Sequence, residues 1–199
     1  NIAVARDFQE RGFRKRKQRP KRVATHRSPR RFMKEVKIGI LGFGTVGAGV
    51  VEAILKNGEL MAQRTGIFPK IGKIADLDIK TDRGVKVDKA LLTTDALSVI
   101  DDPEIDVIVE LIGGVKIAKN FVLRALKNGK PVVTANKALL AEAGRELFEA
   151  SAKSGAGLYF EASVGGGIPV LRALRDGLVG NQIKSMYGIL NGTCNYILT

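Results

Sequence analysis

The sequence predicts an α/β domain organised as a doubly wound parallel sheet, and three observations carry that prediction. Short, nearly continuous apolar runs alternate with stretches of helical period from residue 36 to residue 180, as expected for parallel strands whose crossover helices cover both faces. The first run passes directly into a helix through the glycine turn Gly42-Phe43-Gly44-Thr45-Val46-Gly47. A later run ends in Gly113-Gly114, small residues at a strand's carboxyl end, where a ligand can pass over the sheet.

The opening strand is drawn by Val36, Ile38, Ile40 and Leu41, and the helix after it by Val46, Val50, Val51, Ile54 and Leu55. The turn between them is a G-x-G-x-x-G fingerprint lying between a strand and a helix, the setting that gives the motif its meaning. Gly42 would allow the tight turn, Gly44 the approach of a pyrophosphate, and Gly47 the closeness of helix to strand. The start of the helix offers unpaired N–H groups and a partial positive charge to the phosphates. A Rossmann-type dinucleotide domain is therefore the expected fold.

Asn57-Gly58 reads as the stop of the first helix. A partly helical insertion, 59–69, then precedes a strand over 70–77. Side chains at the end of that strand face the adenosine ribose in such folds, which makes Asp76 and Asp78 candidates. A carboxylate there accepts from ribose hydroxyls and repels a 2′-phosphate, favouring NAD. The acids lie nearer thirty than the usual ~20 residues past the glycines, and Lys80 and Arg83 are placed to meet a phosphate.

A short helix is expected over 94–100, broken by Asp101-Asp102-Pro103, and a buried strand over 105–111. The next helix carries Ala118, Val122 and Leu126 on one face and stops at Asn128-Gly129. A strand over 131–135 leads through Asn136-Lys137 into a helix reaching Gly155, and 157–162 forms another strand. Pro169 is expected at the first position of a helix bearing Leu171, Leu174 and Leu178, and a final strand over 183–190 closes the series.

Lys137 falls on the same sheet edge as the two glycine segments, where a cation can hold a substrate carboxylate or stabilise the oxygen of a carbonyl under reduction. Glu161, followed by glycine-rich backbone, can turn a carboxylate and several carbonyls toward one cation, although a tight turn explains the same pattern. Cys194 and His26 are single in the chain. A Cys/His zinc site is thereby excluded, and nothing activates the thiol as a nucleophile.

The net charge of +13 is concentrated at one end. Residues 1–32 hold 12 of the 33 Lys and Arg and 2 of the 20 Asp and Glu, so the remaining residues carry only +3. This basic extension has few apolar residues and no period, and it reads as disordered. It suits an RNA-, DNA- or anionic-surface-binding arm or a targeting segment. Because Met33 directly precedes the first structured residues, an upstream extension with no role is the preferred reading, and a nucleic-acid partner is expected of the tail alone. No apolar stretch reaches the ~18 residues of a membrane span, and a single cysteine suits a cytoplasmic location.

Taken together, GFGTVG at 42–47, VELIGG at 109–114, TANKALL at 134–140, EASVGGGIP at 161–169 and LNGTCNYIL at 190–198 resemble homoserine dehydrogenase, in the family's order. The resemblance covers 34–199. It implies a dinucleotide-binding domain over 33–168 and, over 169–199, the start of an incomplete α+β substrate and dimerisation domain. It further implies interconversion of aspartate 4-semialdehyde and homoserine with NAD or NADP, and a homodimer for the full-length protein. Phe43, Thr45 and Val46 with the three glycines would form the pyrophosphate site, Ile112 and Gly113 the nicotinamide contacts, and Lys137 the lysine between nicotinamide and substrate. Glu161 with the carbonyls of Val164, Gly166 and Ile168 is similar to the family's sodium site. Leu77 stands where many members have an arginine for the 2′-phosphate, which increases the interest of Asp78. The resemblance also implies that the family's substrate-holding acids and acid/base lysine lie beyond Thr199, so the chain alone is expected to lack activity.

Overall fold

The computed structural model describes residues 33–188. Six parallel strands form one sheet in the order β3-β2-β1-β4-β5-β6. They are β1 (Lys34–Leu41), β2 (Ile67–Ala75), β3 (Leu92–Thr93), β4 (Val107–Glu110), β5 (Val132–Thr134) and β6 (Leu158–Tyr159). The helices are α1 (Thr45–Thr65), α2 (Leu97–Ile100), α3 (Lys116–Lys127), α4 (Lys137–Ser154) and α5 (Val170–Arg172). The last of these runs on into a wider turn over Ala173–Gly177. Strand order reverses between β1 and β4, so the switch point of the sheet lies where the glycine turn leaves β1.

Adjacent residues of each central strand serve different faces, as the two-residue period of a strand requires. Leu41 and Ile108 join Val122, Leu126, Leu139 and Leu147 beneath α3 and α4. Ile40, Val109 and Ile74 join Val51 and Ala48 beneath α1. The strands end in step: Leu41 is level with Ala75 on one side and Glu110 on the other, and Glu110 is level with Thr134. The carboxyl edge is therefore an even platform for the loops above it.

Four expectations are corrected. Asn57-Gly58 does not end α1, which continues to Thr65 and stops at Gly66, whose φ of 75° closes the helix with an N–H to the carbonyl of Ala62. Gly58 is buried within the helix instead, its Cα facing the Phe68 ring, where a Cβ would lie at an ordinary contact distance of 3.8 Å. The strand consequently begins at Ile67 and ends at Ala75, which leaves Asp76 to Asp78 in the following turn. The helix expected from residue 94 starts only at Leu97, because 94–96 form a loop that follows β3. Pro169 precedes α5 rather than opening it.

No strand forms over 183–188; the rest of that expected strand, 189–190, lies outside the described residues. A strand needs a partner ladder, and none of the described residues supplies one to this segment. The extension 1–32 and Cys194 also lie outside the described residues. Among those described, no helix is long and apolar enough to cross a membrane.

Leu126 is fully buried and Leu55 is exposed, although both are helical leucines. Truncating Leu126 to alanine should cost about 2–5 kcal/mol through lost transfer energy and a residual cavity, whereas Leu55→Ala should stay within about 0.5 kcal/mol. Urea unfolding midpoints of the two variants measure the contrast.

Candidate functional site

The site is built from the loops that leave β1, β2, β3 and β4 at the carboxyl edge. In the first of them the three glycines have three separate steric duties. Gly42 has a φ of 101°, and a Cβ there would lie 2.6 Å from the carbonyl oxygen of Leu111. Its N–H donates to the carbonyl of Ala75 at 2.8 Å, which ties the turn to β2. Gly47 lies so close beneath the turn that a Cβ would come to 2.1 Å from the Gly42 carbonyl oxygen. Above Gly44 the space is open, with nothing within 4 Å of where a Cβ would be.

The start of α1 has neither a capping side chain nor an acid in its first turn, and Gly44 is its N-cap. The first N–H groups of a helix lack intrahelical partners, and here the positive end of a 21-residue helix lies behind them.

A cavity of about 580 Å³ extends from this turn across the platform. Gly42 and Gly44 bound it at β1, and Ala75, Asp76 and Leu77 bound it beyond β2. Thr94 to Leu97 close the side after β3, and Leu111, Ile112 and Gly113 close it after β4, with Ile117 and Phe121 of α3 behind. Its size suits a small-molecule or cofactor pocket.

The end of β2 differs in detail from the expectation. Asp76 is a strut: Oδ2 accepts the Phe43 N–H at 2.5 Å and Oδ1 accepts the Asp78 N–H at 2.8 Å. Leu77 is 90% exposed and lines the cavity. Asp78 stands outside the cavity lining. Its Oδ1 accepts from the N–H groups of Lys80 and Thr81, and its Oδ2 pairs with Arg83 Nη2 at 3.1 Å. Hydrogen bonds from Thr81, then that of Lys80 and the charge of Arg83, hold its carboxyl below the ordinary aspartate range.

Three residues that sequence reasoning passed over form a connected polar group beneath the β4 loop. Glu110 is completely buried at the end of β4. Its Oε1 accepts the Ile112 N–H at 2.7 Å and its Oε2 accepts the Thr134 hydroxyl at 2.5 Å. Asn136 donates its backbone N–H to Thr134 Oγ1 at 3.0 Å and caps α4 by accepting the Leu139 N–H. The available signal was an acid as the last residue of an otherwise apolar buried strand. Burial pushes the Glu110 carboxyl above the usual range, against the pull of its hydrogen bonds from Thr134, Ile112 and Asn136.

Lys137 is the first residue of α4 and is exposed. It does not line the cavity, and it follows immediately on Asn136. Glu161 sits further along the same edge, where it caps α5: Oε1 accepts the Leu171 N–H at 3.0 Å and Oε2 the Arg172 N–H at 2.9 Å. Gly165, Gly166 and Gly167 after it all have positive φ. Val164 donates its N–H to the Glu161 carbonyl, and the Ile168 carbonyl accepts from Val170.

A parallel 3-2-1-4-5-6 sheet, a glycine turn at the switch point and a cleft along the carboxyl edge define a Rossmann-type dinucleotide-binding domain. The family model "Homoserine dehydrogenase, NAD binding domain" matches residues 42–161, and "Homoserine dehydrogenase" matches 169–199. The chain belongs to the homoserine dehydrogenase family. It is 46% identical over 167 residues to the homoserine dehydrogenase of Bacillus subtilis, covering 84% of this chain and 39% of that one. The Pseudomonas aeruginosa enzyme is 47% identical over 169 residues, with coverage of 84% and 38%. The crystal structure of a homoserine dehydrogenase from Thiobacillus denitrificans superimposes with a TM-score of 0.76 at 44% identity, over 83% of this chain and 38% of that one. This chain thus spans well under half the length of each.

The raised Glu110 pKa makes a signed prediction. A carboxyl that holds its proton more tightly when folded gives its full stabilisation below the unfolded value of about 4.3 and loses it as pH rises through the folded value. Glu110→Gln cannot ionise, so its thermal midpoint should gain on wild type as pH goes from about 4 to 7. A difference in midpoint that is constant over that range would contradict this.

Proposed function

We propose that this chain is the cofactor-binding part of an NAD(P)-dependent oxidoreductase that interconverts L-aspartate 4-semialdehyde and L-homoserine, in the biosynthesis of threonine, methionine and isoleucine. The observation that carries the reading is the turn from Gly42 to Gly47, with open space above Gly44 and a bare helix start behind it. In this reading the backbone of Gly42, Phe43, Gly44, Thr45, Val46 and Gly47 holds the pyrophosphate. The adenosine half lies toward β2 and the nicotinamide half toward Ile112 and Gly113. Bound there, the nicotinamide supplies or accepts the hydride.

Lys137 is the proposed catalytic residue of this segment. Its ammonium can hold the substrate carboxylate or stabilise the carbonyl oxygen as negative charge develops. The exposed position at the head of α4 supports either role, because the long side chain can swing toward a substrate arriving over β5. A sodium ion is proposed on Glu161 with the carbonyls of Val164, Gly166 and Ile168. Each Glu161 oxygen accepts one backbone N–H, which leaves lone pairs for a hard cation. The same reading carries a cytoplasmic location and a homodimer.

Gly44 provides the test of the cofactor site. Its φ of −69° is open to any residue and its surroundings are empty, so Gly44→Val should fold normally. The added side chain occupies the pyrophosphate's approach, and NAD(P)H affinity should fall at least about 100-fold, some 2.7 kcal/mol. Fluorescence titration measures it, and retained affinity would end the reading.

Choice between the cofactors is proposed to rest on Asp78, next to Leu77 and paired with Arg83. The carboxylate repels a 2′-phosphate and occupies the nearest guanidinium. Asp78→Asn removes the repulsion and frees Arg83, so the ratio of NADP to NAD affinity should rise about 5–10-fold. An unchanged ratio would assign the selection to other residues.

A further inference from the structure

Why an ionisable acid ends the most deeply buried strand is not answered by stability. A buried carboxylate loses hydration, and that cost offsets much of what its hydrogen bonds return. What Glu110 offers that a neutral side chain does not is two acceptor oxygens for two converging donors, Ile112 N–H and Thr134 Oγ–H.

With Glu110 ionised, the direction of every bond in the group is fixed. The Thr134 hydroxyl has one proton, and Glu110 takes it, so the oxygen is left to accept the Asn136 N–H. Asn136 Nδ2 donates to the carbonyls of Ile112 at 3.2 Å and Gly114 at 2.6 Å, while Oδ1 accepts from Leu139 N–H. The opposite amide orientation would set oxygen against two carbonyls and NH₂ against an N–H. Ile112 is therefore gripped at its N–H by Glu110 and at its carbonyl by Asn136. Asn136 is in turn the cap from which Lys137 begins α4. Ser163 Oγ extends the group by donating to the Thr134 carbonyl at 2.9 Å.

We propose that Glu110, acting through Thr134 and Asn136, is a positioning group that fixes the Ile112–Gly113 backbone and the Lys137 end of α4 relative to each other, and so sets where the nicotinamide ring lies. This rests on the cofactor reading given above. None of the three side chains lines the cavity, so their effect on the ring is transmitted through the β4 loop. The pyrophosphate turn is held separately, by Asp76 and Ala75. Loss of the group should therefore disturb the ring without loosening the cofactor as a whole.

The test is a titration of this chain with NADH and NADPH, reading affinity and the fluorescence enhancement of the bound nicotinamide together. Thr134→Val keeps the shape of a fully buried residue and removes the hydroxyl. It should keep Kd within about 2-fold and lose most of the enhancement, and Thr134→Ser should restore it. Glu110→Gln, whose stability relative to wild type improves toward neutral pH, should show the same split and guards against a Thr134 variant that fails to fold. Affinity and enhancement both unchanged, or both falling in step with thermal stability, would overturn the proposal while the cofactor reading stood. Wild type without nicotinamide cofactor binding would remove that reading, and this proposal with it.

Discussion

The contact between Gly47 and the Gly42 carbonyl is the constraint on which the upper edge of the molecule depends. A single added methyl would sit 2.1 Å from that oxygen, far inside van der Waals distance, so only glycine lets α1 start directly under the end of β1. From this closeness the remainder follows. The helix axis points its positive end at the switch point, the turn is compact enough for Gly42 to reach Ala75, and Asp76 can bond to Phe43 from the turn after β2. The even strand ends at Leu41, Ala75, Glu110 and Thr134 then provide a level surface on which the loops are arranged.

Two polar struts divide that surface. On the β2 side, Asp76 spends both carboxylate oxygens on backbone N–H groups and is partly exposed. On the β4 side, Glu110 does the same work with complete burial and a partner hydroxyl. In both cases an acidic side chain at a strand's end holds a loop by accepting hydrogen bonds, not by pairing with a cation. The exposed pairs elsewhere, such as Lys56 with Glu52 and Arg145 with Glu149, are i,i+4 surface pairs of modest energetic weight.

The fold was legible in the sequence because its signals are local. Apolar runs of four or five residues mark the central strands, glycines after 128 and 154 end helices, and the fingerprint turn fixes which strand comes first. What was misread depended on contacts at a distance. Asn57-Gly58 has the form of a helix stop, but Gly58 is buried against β2 and the helix runs on to Thr65. The strand expected over 183–190 has the composition of a strand and, within its described part, no ladder to join. For the site, the glycine turn and the Ile112–Gly113 wall were readable as motif and strand end. The Glu110, Thr134 and Asn136 group was not, because its members lie 24 or more residues apart from one strand to the next and only the parallel register of β4 with β5 brings them level.

Among the described residues, the two outermost strands, β3 and β6, are each two residues long. A ladder that brief exposes few unpaired amides, and a second molecule gains too little from lying alongside to nucleate intermolecular pairing. The tapering of the sheet toward both margins thus works as protection against fibril-like self-association. It leaves the chain free to keep strongly apolar β-branched segments in its centre.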